Sequence, residues 1–159
     1  MRERLWKVLA VLSMLSVAGS TGLAARETRG SGEGAYVTMH EEKVELDGGR
    51  TLRHYRAAGF VTSDPASPFH RTEQNCSGTE VIAVGGGSVK GAGYCDGTDL
   101  DGDVWWIWFR GDDEGGVWGL LGGTGKFEKL KGGGSLRYVH RWPGGKFTIK
   151  WEGTWESAD

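Results

Sequence analysis

The side chains that could carry out chemistry are few and widely spaced. The chain has 159 residues, with four histidines and two cysteines. Nucleophilic catalysis of the Ser–His–Asp or Cys–His kind needs a nucleophile, a base and an orienting group within hydrogen-bond reach. No such set can be assembled from these scattered positions. Each candidate side chain is therefore judged by the strand that carries it.

Two ionisable side chains are predicted to point into an apolar interior. His140 alternates with Leu136, Tyr138 and Trp142, and the period of two along a strand places these residues on one face. Glu80 shares a strand face with apolar residues. Such groups serve either as rim residues satisfied by backbone or water, or as polar anchors and acid–base groups in a ligand cavity. Both interpretations are open for His140, and Glu80 is the second candidate.

An acidic turn resembles a calcium loop only in part. Asp99, Asp101 and Asp103 alternate as the first carboxylates of such a loop do. The glycine is misplaced for an EF-hand, and Arg110 stands where the closing glutamate belongs. The pattern favours an ordinary acidic β-turn, with a cation site as the alternative. No metal and no cofactor is predicted.

The two cysteines are predicted to form one disulfide. If Gly85-Gly86 is a two-residue hairpin turn, Val84 faces Gly87 and the ladder places Cys76 opposite Cys95. Directly opposed positions lie about 5.5 Å apart, which suits a disulfide. A bulge in the glycine run would shift this register by one residue.

The last strand shows its two faces clearly. Over residues 146–156 the odd positions are apolar or glycine and the even positions are polar or charged. This alternation predicts a long antiparallel strand with one buried face. The inward residues are Phe147, Ile149, Trp151 and Trp155. With Tyr138 and His140 they are the predicted lining of an aromatic interior.

Residues 104–109 break the rule of one buried face. The sequence Val-Trp-Trp-Ile-Trp-Phe is apolar on both sides, so something has to cover its outer face. A partner subunit, another part of the chain and an aromatic ligand surface are the three alternatives. Trp106 and Trp108 are the predicted interface residues.

The N-terminus reads as a targeting segment. A basic start, an apolar run of about a dozen residues and a small-residue cleavage site predict a secretory signal peptide over residues 1–24. The run is too short for a membrane span, which needs about 20 residues. We expect a flexible leader over 25–34, one domain over 35–159, and a secreted or periplasmic location.

Charge argues against nucleic acid as a partner. The formal net charge is −2, and it becomes −4 once Arg2, Arg4, Lys7 and Glu3 are removed with the signal. A mildly acidic protein is a poor general binder of nucleic acids or anionic membranes.

The spacing of strands and turns predicts the fold class. About eight or nine strands are separated by short glycine-rich turns, with no helical period after the signal. We assign a short strand to residues 127–131, a further strand to 135–142, and a loop to the proline-containing segment 63–69. This organisation predicts an all-β antiparallel barrel or sandwich.

The segment Gly122-Gly123-Thr124-Gly125-Lys126-Phe127, followed by a glycine run at 132–134, resembles the GGTGKF segment of dirigent proteins and its relative in allene oxide cyclases. The resemblance implies an eight-stranded antiparallel barrel, a homo-oligomer that is commonly a trimer, and an apolar cavity for a reactive organic molecule. The acidic catalytic residues of these families have no match at defined positions here.

Three functions are therefore open. The first is a barrel that binds a small apolar or aromatic molecule without covalent chemistry. The second is an isomerase-like cyclase or coupling guide that depends on His140 or Glu80. The third is an interaction module that binds carbohydrate through Trp106 and Trp108.

Overall fold

The computed structural model describes residues 27–157, which form eight strands and one short 3-10 helix. Successive strands pair antiparallel, and the first also pairs with the last, which closes a barrel. The predicted eight-stranded antiparallel barrel is confirmed. The strands are β1 (Thr28–Leu46), β2 (Arg50–Ser63), β3 (Thr72–Ile82), β4 (Ser88–Thr98), β5 (Val104–Gly111), β6 (Gly115–Gly123), β7 (Leu130–Trp142) and β8 (Lys146–Ser157).

The first strand begins earlier than expected. Residues 28–34, assigned from sequence to a flexible leader, form the start of β1 and pair with β8. Gly30, Gly32 and Gly34 carry no side chain there, and a Cβ at Gly30 would come within 2.4 Å of the Trp155 ring. The polar, glycine-rich composition thus reflects close packing against large rings. The predicted signal peptide lies outside the described residues.

Phe127 was assigned from sequence to a short strand of its own. It closes the 3-10 helix Gly125–Phe127 instead, and β7 begins at Leu130 and continues to Trp142. Phe127 is fully buried. The apolar residues of this segment are therefore explained by burial of the 3-10 helix against the barrel end, and not by a separate strand.

The disulfide forms where the register predicted it. Cys76 and Cys95 are directly paired between β3 and β4 and are bonded to each other. The turn itself differs from the expected two-residue hairpin: the Ala83 N–H donates to the Gly87 carbonyl, and Val84 is exposed within the turn. A bulge next to Val81 restores the predicted ladder beyond it.

Phe69 closes one end of the barrel. The segment between β2 and β3, the predicted loop, folds inward and buries Phe69, which is 3% exposed. Its ring packs edge-on against several tryptophans and beside Phe127. The tryptophans are Trp105, Trp118, Trp151 and Trp155.

Glycines opposite the tryptophans make this packing possible. Trp105 of β5 pairs with Gly97 of β4, and a Cβ at Gly97 would lie 2.2 Å from the indole ring. A Cβ at Gly153 would likewise lie 2.5 Å from the ring of Trp118. The abundance of both residue types thus has one cause, which is the fitting of large rings inside a narrow barrel.

We expect Phe69→Ala to destabilise the protein by about 3–5 kcal/mol, because it removes a buried aromatic ring and leaves a cavity at the barrel end. Phe60→Ala is the matched control, since Phe60 is 45% exposed on the outer wall. It should lose only about 1 kcal/mol. Urea denaturation of both variants measures the difference, and equal losses would contradict the role given to Phe69.

Candidate functional site

A cavity of about 90 Å³ lies in the middle of the barrel. Its lining is mostly aromatic and aliphatic and includes the predicted residues Tyr138, Phe147, Ile149 and Trp151. Trp155 lies deeper, in the closed end. An apolar cavity of about 150 Å³ accommodates benzene in another protein. The cavity in this barrel is therefore large enough for part of an aromatic ring without movement of any side chain.

A buried polar pair lies within this apolar lining. The Tyr36 hydroxyl donates a hydrogen bond to the Gln74 carbonyl oxygen, and both side chains line the cavity. The Tyr36 ring is also stacked on Phe147, with 5.1 Å between the ring centroids. Neither residue was a sequence candidate. The inward orientation of Gln74 could have been predicted from the sequence, because Gln74 lies two positions from Cys76, which faces inward.

The opposite end of the barrel from Phe69 forms a polar mouth. A second cavity of about 190 Å³ lies there and shares Tyr55, Tyr138 and Phe147 with the first. The turns between β1 and β2, β3 and β4, β5 and β6, and β7 and β8 surround this end. A ligand therefore has an entrance where the charged side chains lie.

Glu80 faces the interior, as the strand pattern predicted, and stands on one side of the mouth. Its side chain is 11% exposed, and its Oε1 atom lies 2.6 Å from Arg53 Nη1. The Nε atom of Arg53 lies 3.0 Å from Glu41 Oε2. The guanidinium also lies 4.9 Å from the centre of the Tyr55 ring. Arg53 is thus fixed between two carboxylates and a tyrosine.

Arg141 forms a similar arrangement across the mouth. Its guanidinium lies 3.9 Å from the centre of the Tyr138 ring, and Nη1 lies 2.7 Å from Asp113 Oδ1. The other oxygen of Asp113 accepts a hydrogen bond from the Ser88 backbone. Asp113 therefore connects three strand ends around the entrance.

His140 does not belong to this site, and its predicted inward orientation is wrong. A bulge between Tyr138 and His140 shifts the pairing of β7 with β8 by one residue. His140 consequently pairs with outward-facing Thr148 and is exposed. The same shift turns Arg141 inward, opposite Phe147. A bulge of one residue inverts every side chain beyond it.

The tyrosine hydroxyls of the site remain protonated at neutral pH. Burial raises the pKa of Tyr36, Tyr55 and Tyr138, the first two strongly. For Tyr138, the Arg141 charge opposes burial without cancelling it. No atom among residues 27–157 forms a hydrogen bond with the hydroxyl of Tyr55 or Tyr138. Both are therefore neutral hydrogen-bond donors available to a ligand.

The acidic turn holds a lysine. Lys126 Nζ lies 2.5 Å from Asp99 Oδ2 and 3.0 Å from Asp101 Oδ2, and the Lys126 backbone donates to Asp103. Burial acts in the opposite sense, yet the hydrogen bonds from Lys126 and two backbone groups lower the pKa of Asp99. Among residues 27–157, no three acidic, histidine or cysteine side chains are grouped to hold a metal.

Trp106 and Trp108 lie on the outer wall, as their positions predicted. Trp106 is 41% exposed, while Trp108 is half-buried beside Gly119 with the Arg110 guanidinium 5.5 Å from its ring centre. Tyr94 pairs directly with Trp108 and extends the aromatic surface. Cover of this face by a partner subunit, by another part of the chain or by an aromatic ligand stays a prediction.

Two solved structures share the architecture. The pterocarpan synthase dirigent protein GePTS1 superimposes with a TM-score of 0.51 at 14% identity, over 84% of this chain and 86% of that one. The pterocarpan synthase dirigent protein PsPTS1 gives 0.52 at 12% identity, over 84% and 97%. The chain has a dirigent-like barrel fold. The resemblance seen in the GGTGKF segment is confirmed at the level of the fold.

No protein-family model and no curated protein matches this sequence. Within residues 27–157 there is also no helix of the length and apolarity needed to cross a membrane.

We expect three of the four tyrosine hydroxyls to lose their proton at a higher pH in the folded protein than in the unfolded chain. Their folded pKa lies above the ordinary value of 10.0. Their contribution to stability is therefore complete below about pH 10 and is lost as the pH rises further. Spectrophotometric titration of the tyrosines, with and without denaturant, measures their pKa in the unfolded and folded states. Coincident titration curves would contradict the burial of these phenols.

Proposed function

We propose that the barrel binds a small neutral aromatic molecule in its interior without forming a covalent bond. The observation that supports this most strongly is the joining of an aromatic cavity to a mouth with available tyrosine hydroxyls. Small-molecule sites combine an apolar lining with a few directed polar groups in this way.

The rings of the lining favour an aromatic ligand. Tyr138 meets Phe147 edge-on at 5.7 Å, and Trp118 meets Trp151 edge-on at 6.0 Å. Offset and edge-on contacts between aromatic rings contribute about 0.5–1.5 kcal/mol beyond the burial of area. A flat ring that enters between these side chains extends an arrangement already present.

The ion pairs of the mouth favour a neutral ligand. Both arginines there have a carboxylate within 3.1 Å, so an anion could bind to them only by breaking an existing pair. The Arg53–Glu80 pair is the most buried of them, with side chains 21% and 11% exposed, and removing one partner of a buried pair is strongly unfavourable. The paired carboxylates are Glu41, Glu80 and Asp113, and the paired cations are Lys43, Arg53 and Arg141; Lys146 also lines the mouth and forms no ion pair with the residues that the structure describes.

We also propose secretion or export to the periplasm, supported by the predicted signal peptide and by a disulfide, which persists in oxidising compartments. Assembly into a homo-oligomer, a trimer as the resemblance to dirigent proteins implies, would use the outer wall around Trp106 and Trp108.

We expect Ile149→Trp to abolish binding, because the larger side chain fills the cavity. The matched control is Lys150→Trp, which places the same ring on the exposed face of β8. Calorimetric titration with 4-propylphenol and with 4-propylbenzoate makes the measurement, and thermal unfolding checks that both variants fold.

The wild-type protein and Lys150→Trp should bind the phenol at least tenfold more tightly than the benzoate. Unchanged binding by folded Ile149→Trp would place the ligand elsewhere, and tighter binding of the benzoate would contradict the preference for a neutral ligand.

A second candidate is an enzyme that guides coupling or cyclisation of an aromatic substrate. The observation that favours it is Glu80, a carboxylate at the inner edge of the mouth and held by Arg53. The two similar structures are those of pterocarpan synthase dirigent proteins. In this function Glu80 would accept or donate a proton while the barrel fixes the orientation of the ring.

We expect Glu80→Gln to remove any stereochemical control over coupling of a simple phenol, with a one-electron oxidant supplied separately. Glu152→Gln, on the exposed face of β8, is the matched control. Chiral chromatography measures the product. A racemic product with wild-type protein would reject this second candidate while leaving the binding function intact.

A further inference from the structure

Gln74 is a polar side chain enclosed in an apolar cavity. It is 3% exposed, and it lines the same space as Trp105, Ile107 and Phe147. Its carbonyl oxygen accepts the hydrogen bond from Tyr36. Within residues 27–157, its amide nitrogen donates to no protein atom. One half of the amide is thus satisfied and the other half is available.

An unpaired amide donor in an apolar interior is unfavourable, since transfer from water loses its hydrogen bonds. Buried polar groups in proteins are almost always paired, and each exception calls for a physical reason. An apolar residue at this position, together with phenylalanine in place of Tyr36, would complete the apolar lining without that penalty. A ligand atom that accepts the hydrogen bond provides such a reason.

The position of Gln74 along β3 sets the depth of this donor. Gly78 pairs with Tyr55, which belongs to the mouth. Gln74 lies four residues before Gly78 along β3, toward the closed end. At about 3.3 Å per residue this is about 13 Å along the strand. The cavity therefore has hydrogen-bond donors at two levels. The tyrosines lie near the entrance, and below them lie Gln74 and the indole N–H groups of Trp105 and Trp151, which have no partner among the described residues.

Tyr36 fixes the orientation of the amide. Its ring is stacked on Phe147, and a Cβ at the neighbouring Gly59 would lie 2.3 Å from it, so the ring has little freedom to move. Its hydroxyl is a donor, because burial keeps it protonated. The hydroxyl therefore holds the carbonyl side of Gln74 and leaves the nitrogen side free.

We propose that Gln74 selects ligands that carry an uncharged oxygen acceptor, such as a carbonyl or ether oxygen, on the end that enters the barrel first. This inference rests on the proposed binding function and adds the chemical class of the ligand. Gln74 is the specificity-determining residue, and Tyr36 is its positioning residue.

The experiment compares acetophenone with ethylbenzene, two molecules of nearly the same shape of which only the first has a carbonyl oxygen. Calorimetric or fluorescence titration of the wild-type protein should show acetophenone bound about tenfold more tightly, as one hydrogen bond to a buried donor provides. In Gln74→Met both should bind equally, with ethylbenzene bound at least as tightly as by the wild type.

Two further variants distinguish this role from others. Tyr138→Phe should keep the preference for acetophenone, since its hydroxyl belongs to the mouth. The double variant Tyr36→Phe with Gln74→Met replaces both members of the pair by apolar groups, so it should fold and show no preference. It covers the case in which Gln74→Met alone leaves the Tyr36 hydroxyl unpaired and fails to fold.

The outcomes separate the two proposals. Binding of neither molecule by the wild-type protein contradicts the binding function itself. Equal binding of both by the wild type, or a preference that survives in a folded Gln74 variant, overturns the role of Gln74 while leaving the binding function in place. Loss of the preference in Tyr138→Phe would also overturn it.

Discussion

The pairing of β1 with β8 is the constraint on which the rest of the structure depends. It joins the first strand to the last and so gives every strand one face toward the interior and one toward the outside. A closed barrel of eight strands has an interior just wide enough for side chains. The large rings at one end therefore require glycines across from them, and what space remains becomes the cavity. Closure also removes the exposed strand edges that an open sheet would present.

The two ends of this interior have opposite characters. Phe69 and the tryptophans around it fill one end and exclude water. The other end carries paired charges over tyrosine rings, with Lys146 beside them, and these groups keep the entrance polar. A molecule that enters therefore meets neutral donors first, then aromatic surface, and then the amide of Gln74. The order of these groups along the interior supports a ligand that has an aromatic ring, carries no charge and enters from the mouth.

Alternation along strands made much of this predictable from sequence. It placed Phe147, Ile149 and Trp151 in the lining, Glu80 on the inward face of its strand and Cys76 opposite Cys95. It failed beyond the bulge in β7, where His140 and Arg141 exchange faces. A bulge is decided by how two strands fit together in the closed barrel, so the residues of one strand give no sign of it. The Tyr36–Gln74 pair was missed for a related reason, because it joins residues of two strands that are separated by a third.

The central claim is that a ligand occupies the interior, and nuclear Overhauser contacts test it most directly. With a neutral aromatic ketone bound, the account predicts contacts between the ligand ring protons and the methyl groups of Ile149 and Leu136, both of which line the cavity. Val117, exposed on the outer wall, should show none. Contacts to Val117 or to the ring of Trp106, without contacts to Ile149, would contradict the account and place the ligand on the outer surface.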